Sequence, residues 1–219
     1  LQAQGIAHAS VGRGVFVRQY QPARRIASDR YSRELLRATT ADEGTLPLET
    51  SFTHDHRIGW SDYQLHKTFT EVPADHDLAN LFEVPIGEPI LERRFVFHAK
   101  GLPEQMSTSC LPLRLVRGTP VADPANEPWP GGNIAQLATL GTLVSRVEES
   151  VAARMPLPDE VATLRIPSGV PVFTITRRMI AGPHRTVVEV AFITIPADRA
   201  ILDYAIDLPE PPNPDSVSD

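Results

Sequence analysis

Val84-Pro-Ile-Gly-Glu-Pro-Ile-Leu91 and Ile166-Pro-Ser-Gly-Val-Pro-Val-Phe173 share a β-branched start, a Pro-x-Gly-x-Pro core and an apolar, β-rich run. A short helical segment precedes each: Asp77-Leu-Ala-Asn-Leu81 in the first copy, Glu160-Val-Ala-Thr-Leu164 in the second. Asp75 and Asp159 stand where a side-chain oxygen accepts from the free N–H groups of a first helical turn. A second β-run follows in each copy. Glu104 to Leu111 is reached through Lys100-Gly101-Leu102-Pro103, and Thr186 to Ile195 through Ala181-Gly182-Pro183. Leu111-Pro112 and Ile195-Pro196 close both runs, since proline has no N–H to give a neighbouring strand. The chain therefore reads as two helix-plus-hairpin units. They predict an α+β fold, an antiparallel β-sheet with helices packed on one face.

The flanking sequence is less periodic. Gly132-Asn133 precedes Ile134-Ala-Gln-Leu137, a helix start with Asn133 as its cap. From Arg146 to Met155 two readings stand: Val147 and Val151 fit a helix, and Val147, Val151, Ala153 and Met155 fit one face of a strand. Near the front, Leu1 to Ile6 reads as a last helical turn closed by Gly5. Ala7–Ala9 and Val15–Arg18 then read as two short strands around a Gly12-Arg13-Gly14 tip. The stretch from Gln19 to about Ile58 is polar and reads as a linker holding one short helix, Tyr31 to Ala38. The proline-rich end, Leu208 to Asp219, predicts disorder.

Composition narrows the function. The 219 residues suit one domain with appendages, and 42% hydrophobic content suffices for a packed core. No apolar stretch is long enough to span a membrane. A single cysteine, Cys110, excludes an internal disulfide and fits a reducing, cytoplasmic setting. The net charge is −6, so the chain as a whole does not read as a nucleic-acid binder. Its charge is uneven: Arg13, Arg18, Arg24, Arg25 and Arg30 crowd the front against Asp29 alone, while the end carries only acids.

Catalytic and metal patterns are weak. Glu148-Glu149 would face opposite ways on a strand and could not share a proton. Cys110 has no histidine near it in sequence and reads as a small buried hydrophobe. His54-Asp55-His56 would share a strand face for its two imidazoles, but spacing places no third metal ligand. No cofactor-binding loop is seen, and neither a metal site nor a catalytic set is expected.

Leu1-x-x-x-Gly5-Ile6 with Gly12-Arg13-Gly14-Val15-Phe16-Val17 resembles the end of the winged helix in GntR-type transcription regulators. The rest resembles the effector domain of the HutC subfamily, called UTRA. The matching stretches are Arg93-Arg-Phe-Val-Phe97 with Gly101-Leu-Pro103, Ser107-Thr-Ser-Cys-Leu-Pro112, Gly118-Thr-Pro120, Gly131-Gly-Asn-Ile134, Glu148 to Pro156, and Glu189 to Arg199. This resemblance implies a chorismate-lyase-like fold and a homodimer that senses a small-molecule effector and so alters operator DNA binding. It implies four segments: 1–18 as a winged-helix remnant, 19–58 as linker, 59–207 as effector-binding and dimerisation domain, and 208–219 as tail. The helix-turn-helix expected ahead of Leu1 is mostly missing, so weak or no DNA binding is expected of this chain, with Gly12, Arg13 and Gly14 contacting DNA in the intact protein.

By the same resemblance the effector pocket falls on Phe95, Phe97, Ser107, Asn133, Ala135, Glu189 and Ile195, with Arg94 beside them. Phe95 and Phe97 stand where phosphosugar sensors carry arginines, and Ala135 and Ile195 lack the hydroxyls found there. The pocket is therefore expected to be more apolar than in phosphosugar sensors, suiting an uncharged or cationic ligand with an apolar body, with Glu189 as its charged group pairing an amine or hydroxyl. Arg93 and Arg94 are neighbours, so only one can point inward. The alternative that the fold suggests is a chorismate-lyase-like enzyme acting on a small aromatic acid.

Overall fold

The computed structural model describes residues 7–10, 14–17, 22–40 and 48–206. The first described strands, β1 (Ala7–Ser10) and β2 (Gly14–Val17), form an antiparallel hairpin with Ser10 opposite Gly14. Gly12 and Arg13 at its tip lie outside the described residues, as do the helical turn read at Leu1 to Ile6 and the tail from Leu208. Next come β3 (Ala23–Ile26), α1 (Ala27–Thr40) and α2 (Ser51–His56). They are followed by β4 (Tyr63–Pro73), α3 (His76–Phe82), β5 (Pro89–Ala99), β6 (Leu102–Pro112) and α4 (Leu113–Val116). The last are α5 (Gly132–Thr139), β7 (Val144–Arg154), α6 (Pro158–Leu164), β8 (Val172–Ala181), β9 (Thr186–Pro196) and β10 (Ala200–Asp203).

Six strands form one antiparallel sheet in the order β4-β5-β6-β9-β8-β7. Both halves run strand, helix, strand, hairpin, strand: β4-α3-β5-β6 and β7-α6-β8-β9. At the seam Ser109 pairs with Ala191. The same two residues are counterparts when the two proline-glycine motifs are aligned, so a pseudo-two-fold axis passes between them. The repeat helices share one face. α3 buries Leu78, Ala79 and Phe82 against Ile90, Cys110 and Val190, and α6 buries Leu164 beside Val96 and Met106. Asp75 caps α3 as expected, accepting from the Leu78 N–H at 2.8 Å. In the second copy Pro158 takes the first helical position, where it leaves no donor to satisfy. Asp159 is thus inside the first turn, and Glu160 accepts from the Leu157 N–H at 2.8 Å instead.

The ambiguous stretch after Ser145 is β7, the edge strand, with Val147 opposite Met179 and Val151 opposite Ile175. Pairing along all of β8 outweighs the local helical spacing. The expected helix at 31–38 is longer, and the stretch read as linker also carries β3 and α2. Tyr31, Leu35 and Ala38 recur at helical spacing and pack on the main core cluster, which includes Leu91, Leu111, Ile134, Leu137 and Met179. α1 and α5 thus cover the face opposite the repeat helices. β3 lies parallel to β10, Ala23 opposite Ala200, which ties the start of the domain to its last strand.

Candidate ligand-binding cavity

Antiparallel register lines up side chains that are far apart in sequence. Phe69, Arg93, Ser109, Ala191, Arg177 and Glu149 form one row across all six strands. Lys67, Phe95, Ser107, Ile193, Ile175 and Val151 form the next. Between these rows and the covering elements lies a cavity of about 70 Å³. α1 contributes Arg30 and Glu34, and α2 contributes Ser51 and Phe52. Asn133 looks in from α5, Tyr63 from β4, and Glu127 and Trp129 from the preceding loop. Phe95, Phe97, Ser107, Ser109, Arg177 and Ile193 form the sheet floor.

The surrounding polar groups are a connected network. Glu189 is fully buried. It receives Arg177 through two hydrogen bonds of 2.8 and 3.1 Å, the Ser109 hydroxyl at 2.7 Å, and the Asn133 amide. Burial opposes the charge on Arg177, but Glu189 and Tyr31 raise its pKa well above the ordinary value. Arg93, also fully buried, donates to Gln136 at 2.8 Å, Ser109 at 2.9 Å and Asn133 at 3.2 Å, with Glu127 at 3.7 Å. Its guanidinium lies over the Phe69 and Phe95 rings at 5.7 and 5.6 Å. Arg30 is paired with Asp55, and Arg25 holds Glu149 through both carboxylate oxygens. Each buried arginine thus faces a carboxylate, as buried charge requires. Glu34 differs. Ser51 donates to it, but among the described residues no cation lies in ion-pair distance of it. Burial pushes its carboxyl above the usual range, partly offset by the field of Arg30.

The cavity brings together Phe95, Phe97, Ser107 and Asn133. Glu189 stands behind Asn133 and Ser109, with its charge already met by Arg177. Arg94 is not part of the cavity. It alternates with Arg93 and Phe95, so it points to the opposite face, where it is exposed and binds Glu92 at 2.7 Å. Ile195 is packed with Ile175, Ile193 and Ala200, and Ile193, one pleat nearer, lines the space. Ala135 does not reach the cavity; its Cβ lies near Gly131, where an added methyl would be 2.7 Å away. Gly131 rather than Asn133 occupies the cap position of α5, which frees Asn133 for the network.

Glu189 is not the charged group of the pocket that the sequence suggested, because Arg30, Glu34, Glu127 and Arg177 line it and Glu189 stands behind them. Arg177 had a signal in the sequence, and so did Arg93 and Glu189 of the surrounding network. Parity with Phe95 and Phe97 selects Arg93 over Arg94. The repeat places Arg177 at the counterpart of Phe95 and Glu189 at that of Ser107. Arg30 and Glu34 had none, since their helix reads as linker.

The remaining candidates are accounted for locally. Glu148 and Glu149 do face opposite ways: the first is on the surface with Arg146, and the second is buried on Arg25 and Tyr31. His54 and His56 lie on α2, not a strand. His54 contacts Glu49 at 3.0 Å and His56 the Phe52 carbonyl at 2.9 Å. Cys110 is buried under α3, and burial pushes its thiol up to about 12.

The sequence profile of the UTRA domain matches residues 66–200, more than half of the chain. The chain belongs to the UTRA domain family. Among solved structures, a protein assigned to the GntR family of transcriptional regulators is 27% identical, with TM-score 0.66, covering 94% of this chain and 78% of that one. PhnF from Mycobacterium smegmatis shares the fold at 17% identity and TM-score 0.63, covering 93% of this chain and 79% of its own. The C-terminal domain of the histidine utilization repressor from Pseudomonas syringae pv. tomato str. DC3000 does so at 19% identity and TM-score 0.54, over 67% of this chain and 99% of its own. No curated protein matches the chain by sequence. As a UTRA domain it is of the effector-sensing kind that GntR-type regulators carry. Among the described residues no helix is long and apolar enough to cross a membrane.

Proposed function

We propose that this chain is the small-molecule-sensing and dimer-forming part of a GntR/HutC-type transcription regulator working in the cytoplasm, most simply as a repressor, and not an enzyme. The observation that carries the reading is the cavity formed between the sheet and α1, α2 and α5. Its lining mixes aromatic faces with fixed polar groups, the usual character of a ligand site. The site residues are Phe95, Phe97, Ser107, Ser109, Asn133 and Arg177, with Glu189 holding Arg177 and Asn133 in place. Gly12, Arg13 and Gly14 are the residues that would contact operator DNA. The sensing domain begins near Pro22, because β3 pairs with β10 and α1 packs on the core.

A mechanism follows from where α1 sits. Arg30 and Glu34 form part of the cavity wall, and the same helix runs on directly from β3 toward the hairpin in sequence. A ligand that touches these side chains favours one setting of α1 over another, and only such unequal binding can shift a two-state equilibrium. Two protomers would then present their DNA-contacting segments at a changed spacing.

Native mass spectrometry of the freshly purified protein tests this, looking for dimer mass and a co-purified small molecule. A metabolite panel read by thermal denaturation completes it. A ligand at 100 times Kd stabilises by about 2.7 kcal/mol, a Tm rise of about 5–11 °C for a chain of this size. A monomer that holds nothing and responds to nothing overturns the proposal, and consumption of chorismate turns it toward the enzyme.

A further inference from the structure

The cavity has a second character that the network around Glu189 does not explain. Phe52, Tyr63, Phe95, Phe97 and Trp129 all line it. Four of these rings form a continuous wall, with centroids 5.5 Å apart for Phe52 and Tyr63, 5.2 Å for Phe52 and Phe97, and 5.9 Å for Phe95 and Phe97. Aromatic faces carry negative potential and attract cations. Opposite charges at the rim are spoken for: Arg177 by Glu189, Arg30 by Asp55, and Arg93 by its amide and hydroxyl acceptors and Glu127. Glu34 is the exception. It is 7% exposed, lines the same space, and among the described residues its one hydrogen-bond partner is the Ser51 hydroxyl. Gly132 leaves room beside it; a Cβ there would stand 3.3 Å from Glu34 Oε1.

We propose that the effector carries a small ammonium group, which sits against this aromatic wall and supplies the missing counter-charge to Glu34. The inference rests on the reading of the cavity as a sensing site. It makes α1 the element that recognises the ligand, since Glu34 is on α1. A bound ammonium removes the penalty of a buried lone carboxylate. Burial holds the Glu34 carboxyl above its ordinary range without ligand. Replacing it with the neutral isostere is therefore tolerated by the empty protein.

The experiment titrates the full chain with choline and isoamylamine against their uncharged counterparts, dimethylbutanol and isoamyl alcohol, and against sugar phosphates. Calorimetry and Tm are read for wild type, Glu34→Gln and Phe97→Leu. The expected result is binding of the ammonium compounds alone. Glu34→Gln should weaken it by about tenfold or more, as for a lost hydrogen bond to a charge, with an unliganded Tm equal to or above wild type. Phe97→Leu, which keeps apolar volume but removes a π face, should weaken it about threefold or more. Equal binding of charged and uncharged members, or ammonium binding indifferent to Glu34→Gln, overturns the ammonium assignment. Tight binding of a sugar phosphate also overturns it, yet leaves the sensing role standing. No binding by any compound, together with an empty native mass spectrum, removes both.

Discussion

Removing Glu189 while leaving Arg177 in place should be the most damaging single change available in the cavity network. Glu189→Leu takes away both hydrogen bonds to Arg177, the acceptor of Ser109 and the acceptor of the Asn133 amide. The Arg177 side chain is 9% exposed, so no water replaces the lost carboxylate. Breaking a buried pair from one side costs about 3–5 kcal/mol, because the other charge stays desolvated. At roughly 2–4 °C per kcal/mol for a chain of this length, Tm should fall by about 6–20 °C. Urea unfolding followed by circular dichroism gives the free energy directly. The double change Arg177→Met with Glu189→Leu removes both charges and should recover most of the loss, since an apolar pair of similar volume often matches a buried ion pair. A single-variant loss under about 1 kcal/mol, or a double variant as unstable as the sum of both singles, would refute the argument that desolvation dominates here.

Other predictions address separate parts of the molecule. Burial opposes the Glu149 charge, but the hydrogen bonds and field of Arg25 bring its pKa down to about 2. Its folded value lies below its unfolded one, so its stabilisation is present above about pH 4.5 and is lost as pH falls toward 2. Glu149→Gln should flatten acid unfolding across that window, seen as a smaller change in Tm with pH. Gly131 has φ +82° and an added Cβ would meet the Ala135 Cβ at 2.7 Å, so Gly131→Ala should destabilise by about 1–3 kcal/mol in chemical denaturation. Cys110 should resist a thiol reagent in the folded protein and react on unfolding, since its thiol sits near 12 and is buried. Arg94→Ala should stay within about 0.5 kcal/mol of wild type, because Arg94 is on the outer face with Glu92.

The sheet was legible because its signal is redundant. Two copies of one pattern agreed on helix, turn and hairpin, and prolines marked where strands stop. The edge strand β7 is ambiguous in sequence because from Ser150 to Arg154 both of its faces meet solvent, so no period is enforced locally. At the site, the resemblance named Phe95, Phe97, Ser107 and Asn133, which line the cavity, together with Arg94, Ala135 and Ile195, which do not. Charge pairing was not legible. Arg25 with Glu149 and Arg30 with Asp55 join residues distant in sequence, and nothing local to either partner announces the other. α1 was under-read for a related cause: its apolar positions are few, and its inward polar side chains resemble those of a solvated segment until their partners are known.

The pairing of Ala23–Ile26 alongside Ala200–Asp203 has a mechanical consequence. Because the strands are parallel, Ala23 and Ala200 stand at the same end of the pair, so the start of β3 is fastened beside the point where the chain leaves β9. The helix begins at Ala27 with no intervening loop, so a displacement of its first turn would be passed straight to that fastening.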